Sequence, residues 1–320
     1  MATTLDPGSL TTSYGLIFRQ LAALTWQKKP WPPSRVARLL WSGLTSLGTQ
    51  RKIVHLLRAE PFAELARKKP EFAFKYATLD YLAIGLTAPQ RAASFLHHYT
   101  RLHKALPVPV LRHMLQSDVT LHRIPTQALH CAITMGMSEP VENEGEMSLN
   151  MRVDGEIVSV LSFTIVPGPV VRSRAEDVVL VTRVQGVKGC FPQIQATTKA
   201  LCDVAPAHLL LAALQGVANA LGITEFAAIN ATMQRSTNLV DPGLRFDKSY
   251  DEFFCGLGFA QTPEGFFMSP IPIPDKPLTC IKPGHKIRTK EKRAFKREVQ
   301  SACAAFLRGM HPAFSSHPAA

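Results

Sequence analysis

The chain has 320 residues, of which 46% are hydrophobic and 19% charged, and a formal net charge of +12. That length suggests roughly two folding units, and that composition can fill a core, which excludes wholesale disorder. No apolar run is long enough for a transmembrane helix. The six cysteines form no C-x-x-C pair, so zinc ribbons and dithiol redox motifs are excluded.

The charge is unevenly spread. Residues 1–130 hold 17 Lys/Arg against 6 Asp/Glu, residues 131–281 hold 10 against 16, and residues 282–320 hold 9 against 2. An acidic middle lies between two basic ends. Solvated helical surfaces account for such ends; the sharper reading is attraction to anionic lipid, nucleic acid or a phosphorylated ligand. The N-terminus has no basic stretch leading into an apolar one, so the expected address is cytoplasmic.

The N-terminal third is expected to be helical. Ser34 can cap a helix carrying Val36, Leu39, Leu40, Leu44 and Leu47. Pro61 opens a second, with Phe62, Leu65 and Ala66 on one face. Thr87-Ala-Pro89 starts a third, which carries Phe95, Leu96, Tyr99 and Leu102 and ends before Pro107 and Pro109. Beyond about residue 125 the period changes. Glu146–Val153 and Glu156–Val166 read as strands joined by Asp154-Gly155, a hairpin signal. Asp177–Val184 is a third strand, apolar enough to be buried on both faces. Helices follow over 192–202 and 206–221, with Gly222 at C′, and Glu225–Asn230 is a fourth strand. A helical crossover between the last two strands favours a parallel pair. Asp241-Pro-Gly243, a short helix from Tyr250 closed by glycine, a Pro-rich strap over 270–283 and a basic helix over 290–308 complete the chain. Phe295, Val299, Cys303 and Phe306 give that last helix an apolar stripe, expected to dock on the central domain.

Chemistry is expected at the strand–glycine loop–helix around Arg183, Gln185, Gly186, Lys188 and Gly189. Amides of a glycine loop and of a helix N-terminus can cradle a phosphate, and Lys188 adds a positive charge. The plainer alternative is a tight turn without a ligand. Neither G-x-x-x-x-G-K-[ST] nor G-x-G-x-x-G is present. The His97, His98 and His103 spacing does not place metal ligands on one helical face, and no metal is expected. Cys190 lies near a helix N-terminus, and Gln234 and Arg235 follow the fourth strand, where open α/β sheets place ligand groups.

The order of hairpin, central strand, Arg183-Val-Gln-Gly186 loop, helix and strand resembles the GNAT acyltransferase superfamily over residues 146–259. Lys188 stands where that motif has Gly or Ala, Gly189 comes one place late, and Pro192 removes an amide donor. The resemblance implies an acyl-CoA held by the loop, with Asn230 near the reacting carbonyl and Tyr250 protonating the leaving thiolate. Val181–Gly186, Tyr250–Phe254 and Lys292–Arg297 also resemble the VirK/YbjX family (domain of unknown function 535) over about residues 60–308. That resemblance implies a bacterial setting of virulence and antimicrobial-peptide resistance, and no reaction.

The expected fold is α+β: a helical region over 1–125, a mixed-sheet, GNAT-like core over 126–284 and a basic helix with its tail over 285–320. Two functions stand side by side. One is an acyl-CoA-dependent acyltransferase. The other is a non-enzymatic cytoplasmic factor, peripheral to the inner membrane, that binds acidic lipid or an acidic protein partner. Nucleic acid is disfavoured, since no helix-turn-helix, RNP or zinc motif accompanies the charge.

Overall fold

A computed structural model of the chain describes residues 47–138, 143–234 and 246–310. The expected helix capped by Ser34, the Asp241-Pro-Gly243 turn and Arg235 lie outside the described residues.

Helix α1 spans Leu47–Arg58 and α2 spans Phe62–Lys68, followed by a 3-10 segment over Pro70–Ala77. Helix α3, Ala88–Ala105, opens on a capping box. The Thr87 hydroxyl accepts from the Gln90 amide, and the Gln90 side chain accepts from the Thr87 amide. Pro107 does more than end this helix. It is the N-cap of a further one, α4, Val108–Gln116, where the missing proline amide is harmless.

Eight strands form one sheet in the order β1-β2-β3-β4-β5-β6-β8-β7. They are β1 Val119–Ile124, β2 Cys131–Met137, β3 Met147–Val153, β4 Glu156–Pro167, β5 Asp177–Gly186, β6 Glu225–Ala228, β7 Ala260–Gln261 and β8 Phe267–Pro270. Asp154 and Gly155 both have positive φ, as the two-residue turn between β3 and β4 requires. Among the described residues only β5 and β6 pair in parallel, across helices α5, Phe191–Ala200, and α6, Pro206–Ala220. Helix α7, Phe246–Gly256, precedes the β7–β8 hairpin, and α8, Lys286–Met310, closes the described chain.

Two differences from the expected boundaries stand out. The sheet begins earlier: β1 and β2 pair as a hairpin, so a boundary at 125 would strand β1 among the helices. His122 and Arg123 side by side break the alternation of β1, and no compact turn dipeptide joins it to β2, so neither carries the usual strand signals. The hydrophobic core is also continuous, with residues from Ile53 of α1 to Leu307 of α8 in a single cluster.

The two faces of the sheet differ chemically. Register places Met135, Leu149, Leu161 and Val184 on one face. On that side Met135, Met147 and Phe163 meet Leu102 of α3, Val217 of α6 and Leu307 of α8. Helix α8 crosses α6 closely at Gly216, where a Cβ would collide with the Gln300 carbonyl and come 3.1 Å from the Cys303 Cβ. Its docked stripe is Val299, Cys303, Ala304 and Leu307, with Phe295 and Phe306 half-buried at the margin. The opposite face carries the row Gly136, Ser148, Ser162 and Arg183. Ser148 and Ser162 are buried all the same. A polar face running across the middle of a sheet marks where a site can be built.

Candidate functional site

The site begins with a strand that parts from its neighbour. β5 and β6 pair only at Val179–Phe226, Leu180–Ala227 and Val181–Ala228, with a last bond of 3.1 Å from the Ile229 amide to the Val181 carbonyl. The chain then turns away into a 3-10 turn, Ala231–Met233, while β5 continues to Gly186 beside β4. Thr182 sits at the parting. It is the extra residue in the β4–β5 ladder, whose register steps from Phe163–Val181 to Ser162–Arg183. Its hydroxyl donates to the Glu144 carbonyl at 2.5 Å, and its own carbonyl receives the Gln234 side-chain amide at 3.3 Å. Gln234 thus fills part of the gap that β6 leaves. Gly145 passes so close that a Cβ would lie 3.0 Å from Thr182 Oγ1, and its φ is +131°, so only glycine fits there.

Arg183 and Gln185 stand on one face of β5, and Arg183 Nε donates to Gln185 Oε1 at 3.0 Å. The same Nε lies 3.7 Å from the carboxylate of the buried Glu144. Burial lowers the Arg183 pKa, and Glu144 opposes that shift. Gly186 is the last strand residue. A Cβ there would come within 2.7 Å of Ile194 Cδ1, so this glycine lets α5 close on the strand end. Lys188 and Gly189 form the turn that follows. The Val187 amide donates to Val158 and the Cys190 amide to Val187, whereas the Lys188 and Gly189 amides have no backbone acceptor among the described residues. Gly189 has φ +88°, a left-handed position. Cys190 is the N-cap of α5 without a side-chain capping bond, its thiol facing the Ile157 carbonyl at 4.0 Å, and Pro192 occupies the first turn.

The other lip carries Asn230 and Tyr250. Asn230 Oδ1 accepts from the Met233 amide at 3.0 Å and the Thr232 hydroxyl at 2.8 Å, so this side chain caps the turn. Asp251 accepts from the Ala231 amide at 2.8 Å and ties α7 to that turn. The neighbouring Tyr250 is buried, edge-on to Phe254, and its hydroxyl has no hydrogen-bond partner among the described residues. Burial, then the Asp251 and Glu144 charges, raise its pKa well above the usual phenol value. The phenol is therefore neutral and keeps its proton to give.

The residues singled out in the sequence thus fall into two groups. Arg183, Gln185, Gly186, Lys188 and Gly189 run along the free end of β5. Asn230 and Tyr250 flank the place where β6 turns off. Glu144, within electrostatic reach of both Arg183 and Tyr250, was not foreseen, and neither was Thr182. Glu144 comes from the irregular chain before β3, where no periodicity marks it. The histidines disperse. His98 accepts from the Ile165 amide, His97 pairs with Asp177 at 2.7 Å, and His103 packs edge-on to Phe62.

A family model described as a protein of unknown function (DUF535) matches residues 33–297. The chain belongs to that family. No curated protein and no solved structure matched it.

Proposed function

We propose that the chain is an acyltransferase of the GNAT kind that takes an acyl-CoA thioester into the cleft between β5 and β6. The observation that supports this most is the parting of the parallel pair after Val181, beside the bulge at Thr182. In the acyltransferase fold the corresponding strands splay to admit the cofactor, and a fully zipped pair would have favoured the binding-protein reading. The Lys188 and Gly189 amides and the Lys188 ammonium suit a pyrophosphate. The cofactor supplies an acyl group activated as a thioester. As an acceptor nucleophile bonded the acyl carbon and the C–S bond broke, Tyr250, held neutral by burial, would give a hydrogen bond to the leaving sulfur, and Arg183 balances the Glu144 charge beside it. Asn230 orients the lip by capping its turn.

The docking of α8 speaks against the non-enzymatic reading, in which the basic end anchors to acidic lipid. Arg293 pairs with Asp275 at 3.1 Å, Arg288 pairs with Asp203, and Lys292 donates to the Asp203 carbonyl at 2.7 Å. Three of the eight Lys and Arg on α8 are thus engaged within the chain. The setting implied by the VirK/YbjX resemblance, virulence and peptide resistance, is compatible with either reading. Calorimetric titration with acetyl-CoA and longer acyl-CoAs tests the proposal. Expected is micromolar binding, weakened about tenfold or more by Lys188→Glu, since a charge-assisted bond becomes a repulsion. No heat at any chain length overturns it.

A further inference from the structure

A second concave site lies between α1 and α3, and it shares no residue with the cleft. Arg51, Lys52, His55, Leu56, Arg58 and Ala59 line one wall, and Leu96, Thr100, His103 and Lys104 line the other, around a volume of about 650 Å³. The spacing explains why these residues meet. Positions 51, 55 and 58 recur at helical intervals on α1, and 96, 100 and 103 do so on α3. Two helix faces therefore look at each other across a groove. Its floor is apolar, Leu56 and Leu96, and its rim is cationic.

No described carboxylate lines the groove. The contrast with adjacent surface is sharp. Glu60 pairs with Arg67 and Arg112, and Glu64 pairs with Lys68 and Arg112. There each cation finds an acid. In the groove, Lys52, Arg58 and Lys104 form no ion pair among the described residues. Like charges gathered in one concavity repel, and low-dielectric walls strengthen that repulsion. A multiply charged anion relieves it.

We propose that the groove between α1 and α3 binds a phosphate or pyrophosphate group carried by a molecule with an apolar part. Lys52, Arg58 and Lys104 meet the anion, and Leu56 and Leu96 meet the apolar portion. This does not depend on the acyl-transfer reading. Phosphate of that kind reaches the site on a soluble ester or on a lipid headgroup, and the test separates the two.

Inorganic pyrophosphate is titrated calorimetrically against the full chain carrying Lys188→Glu, so that the turn after β5 does not contribute, and the groove and control variants are made in that background. In parallel, the chain is sedimented with vesicles of phosphatidylglycerol or of phosphatidylcholine. Lys52→Glu with Lys104→Glu is the groove variant. Lys290→Glu with Arg297→Glu, exposed on α8, is the control of equal charge change. Melting temperatures check folding, and Lys52→Ala with Lys104→Ala is the milder second variant. The proposal expects saturable binding in at least one arm, reduced tenfold or more by the groove variant and less than threefold by the control. Pyrophosphate binding that competes with vesicles identifies a soluble phosphate site. Phosphatidylglycerol binding without it identifies a headgroup site. Equal losses in groove and control variants overturn the proposal, because general charge attraction then suffices. Binding that survives both groove variants, or no binding to any probe up to millimolar concentration, also overturns it.

Discussion

Tyr250 and His98 both carry their meaning in a single atom. The Tyr250 hydroxyl is buried without a partner among the described residues, an arrangement that costs about 1–3 kcal/mol of folding free energy. Tyr250→Phe is therefore expected to leave the melting temperature unchanged or higher. If the phenol serves the thiolate, the same variant binds acyl-CoA as before and releases free thiol about 100-fold more slowly. A variant that is both less stable and equally active would remove Tyr250 from the mechanism. His98 is buried, and burial first, then the Lys75 and His97 charges, lower its pKa to about 3. Above pH ~6.5 the ring is neutral in folded and unfolded chains alike, so it contributes no pH dependence. As pH falls from ~6.5 towards the folded value, the unfolded chain takes up a proton that the folded chain refuses. Stability is then lost at about 1.4 kcal/mol per unit. Urea midpoints at pH 7 and pH 5 should show a smaller drop for His98→Gln than for the parent. Identical drops would refute the assignment.

A third residue-scale feature is the ion pair of Lys75 and Glu146, 3.2 Å apart with side chains 5% and 0% exposed. Glu146 also accepts from the Tyr99 hydroxyl. Lys75→Met leaves a buried carboxylate without its cation and should destabilise by about 3–5 kcal/mol. Adding Glu146→Gln should restore part of that, as a double-mutant cycle in urea would measure.

At the scale of elements, most helices and central strands were legible. Thr87 with Gln90, Asp154-Gly155 and Gly222 are local chemistry, and local chemistry is written in neighbouring residues. β1 and β2 escaped because their pairing is with each other and with β3, and nothing within either segment announces it. The site was half legible for the same reason. The glycine turn and Tyr250 lie on recognisable patterns, but at the parting of β5 from β6 Thr182 bonds to the Glu144 carbonyl, 38 positions away. The docking of α8 depends on one small residue. Gly216→Ala places a methyl against the Gln300 carbonyl and is expected to destabilise by about 1–3 kcal/mol. An unchanged melting temperature would mean that α8 is not packed as described.

For the whole molecule, the consequence of a continuous core is cooperativity. Leu102 from α3, Met147 from the sheet and Leu307 from α8 touch one apolar layer. Helical region, sheet and terminal helix should therefore unfold together, in one transition seen alike by far-ultraviolet and near-ultraviolet dichroism. Deleting residues 286–320 should lower the whole transition by several degrees. Two separated transitions in the parent would show that the helices form an independent unit. The groove between α1 and α3 belongs to this scale too, since its cations come from the most basic third of the chain.

The early parting of β5 from β6 gives an eight-stranded sheet an edge in its interior. Ordinarily the centre of a sheet is the last place to exchange its amide protons with solvent, and the rims are the first. Here the ranking is disturbed. Amides of β5 before Thr182 are laced on both sides, while those after it are laced to β4 alone. A deuterium map of this protein would then show a fast-exchanging notch between two slow bands, centred on Arg183–Gly186. Anything that slides into the notch and bonds to its backbone would be recorded as the notch disappearing.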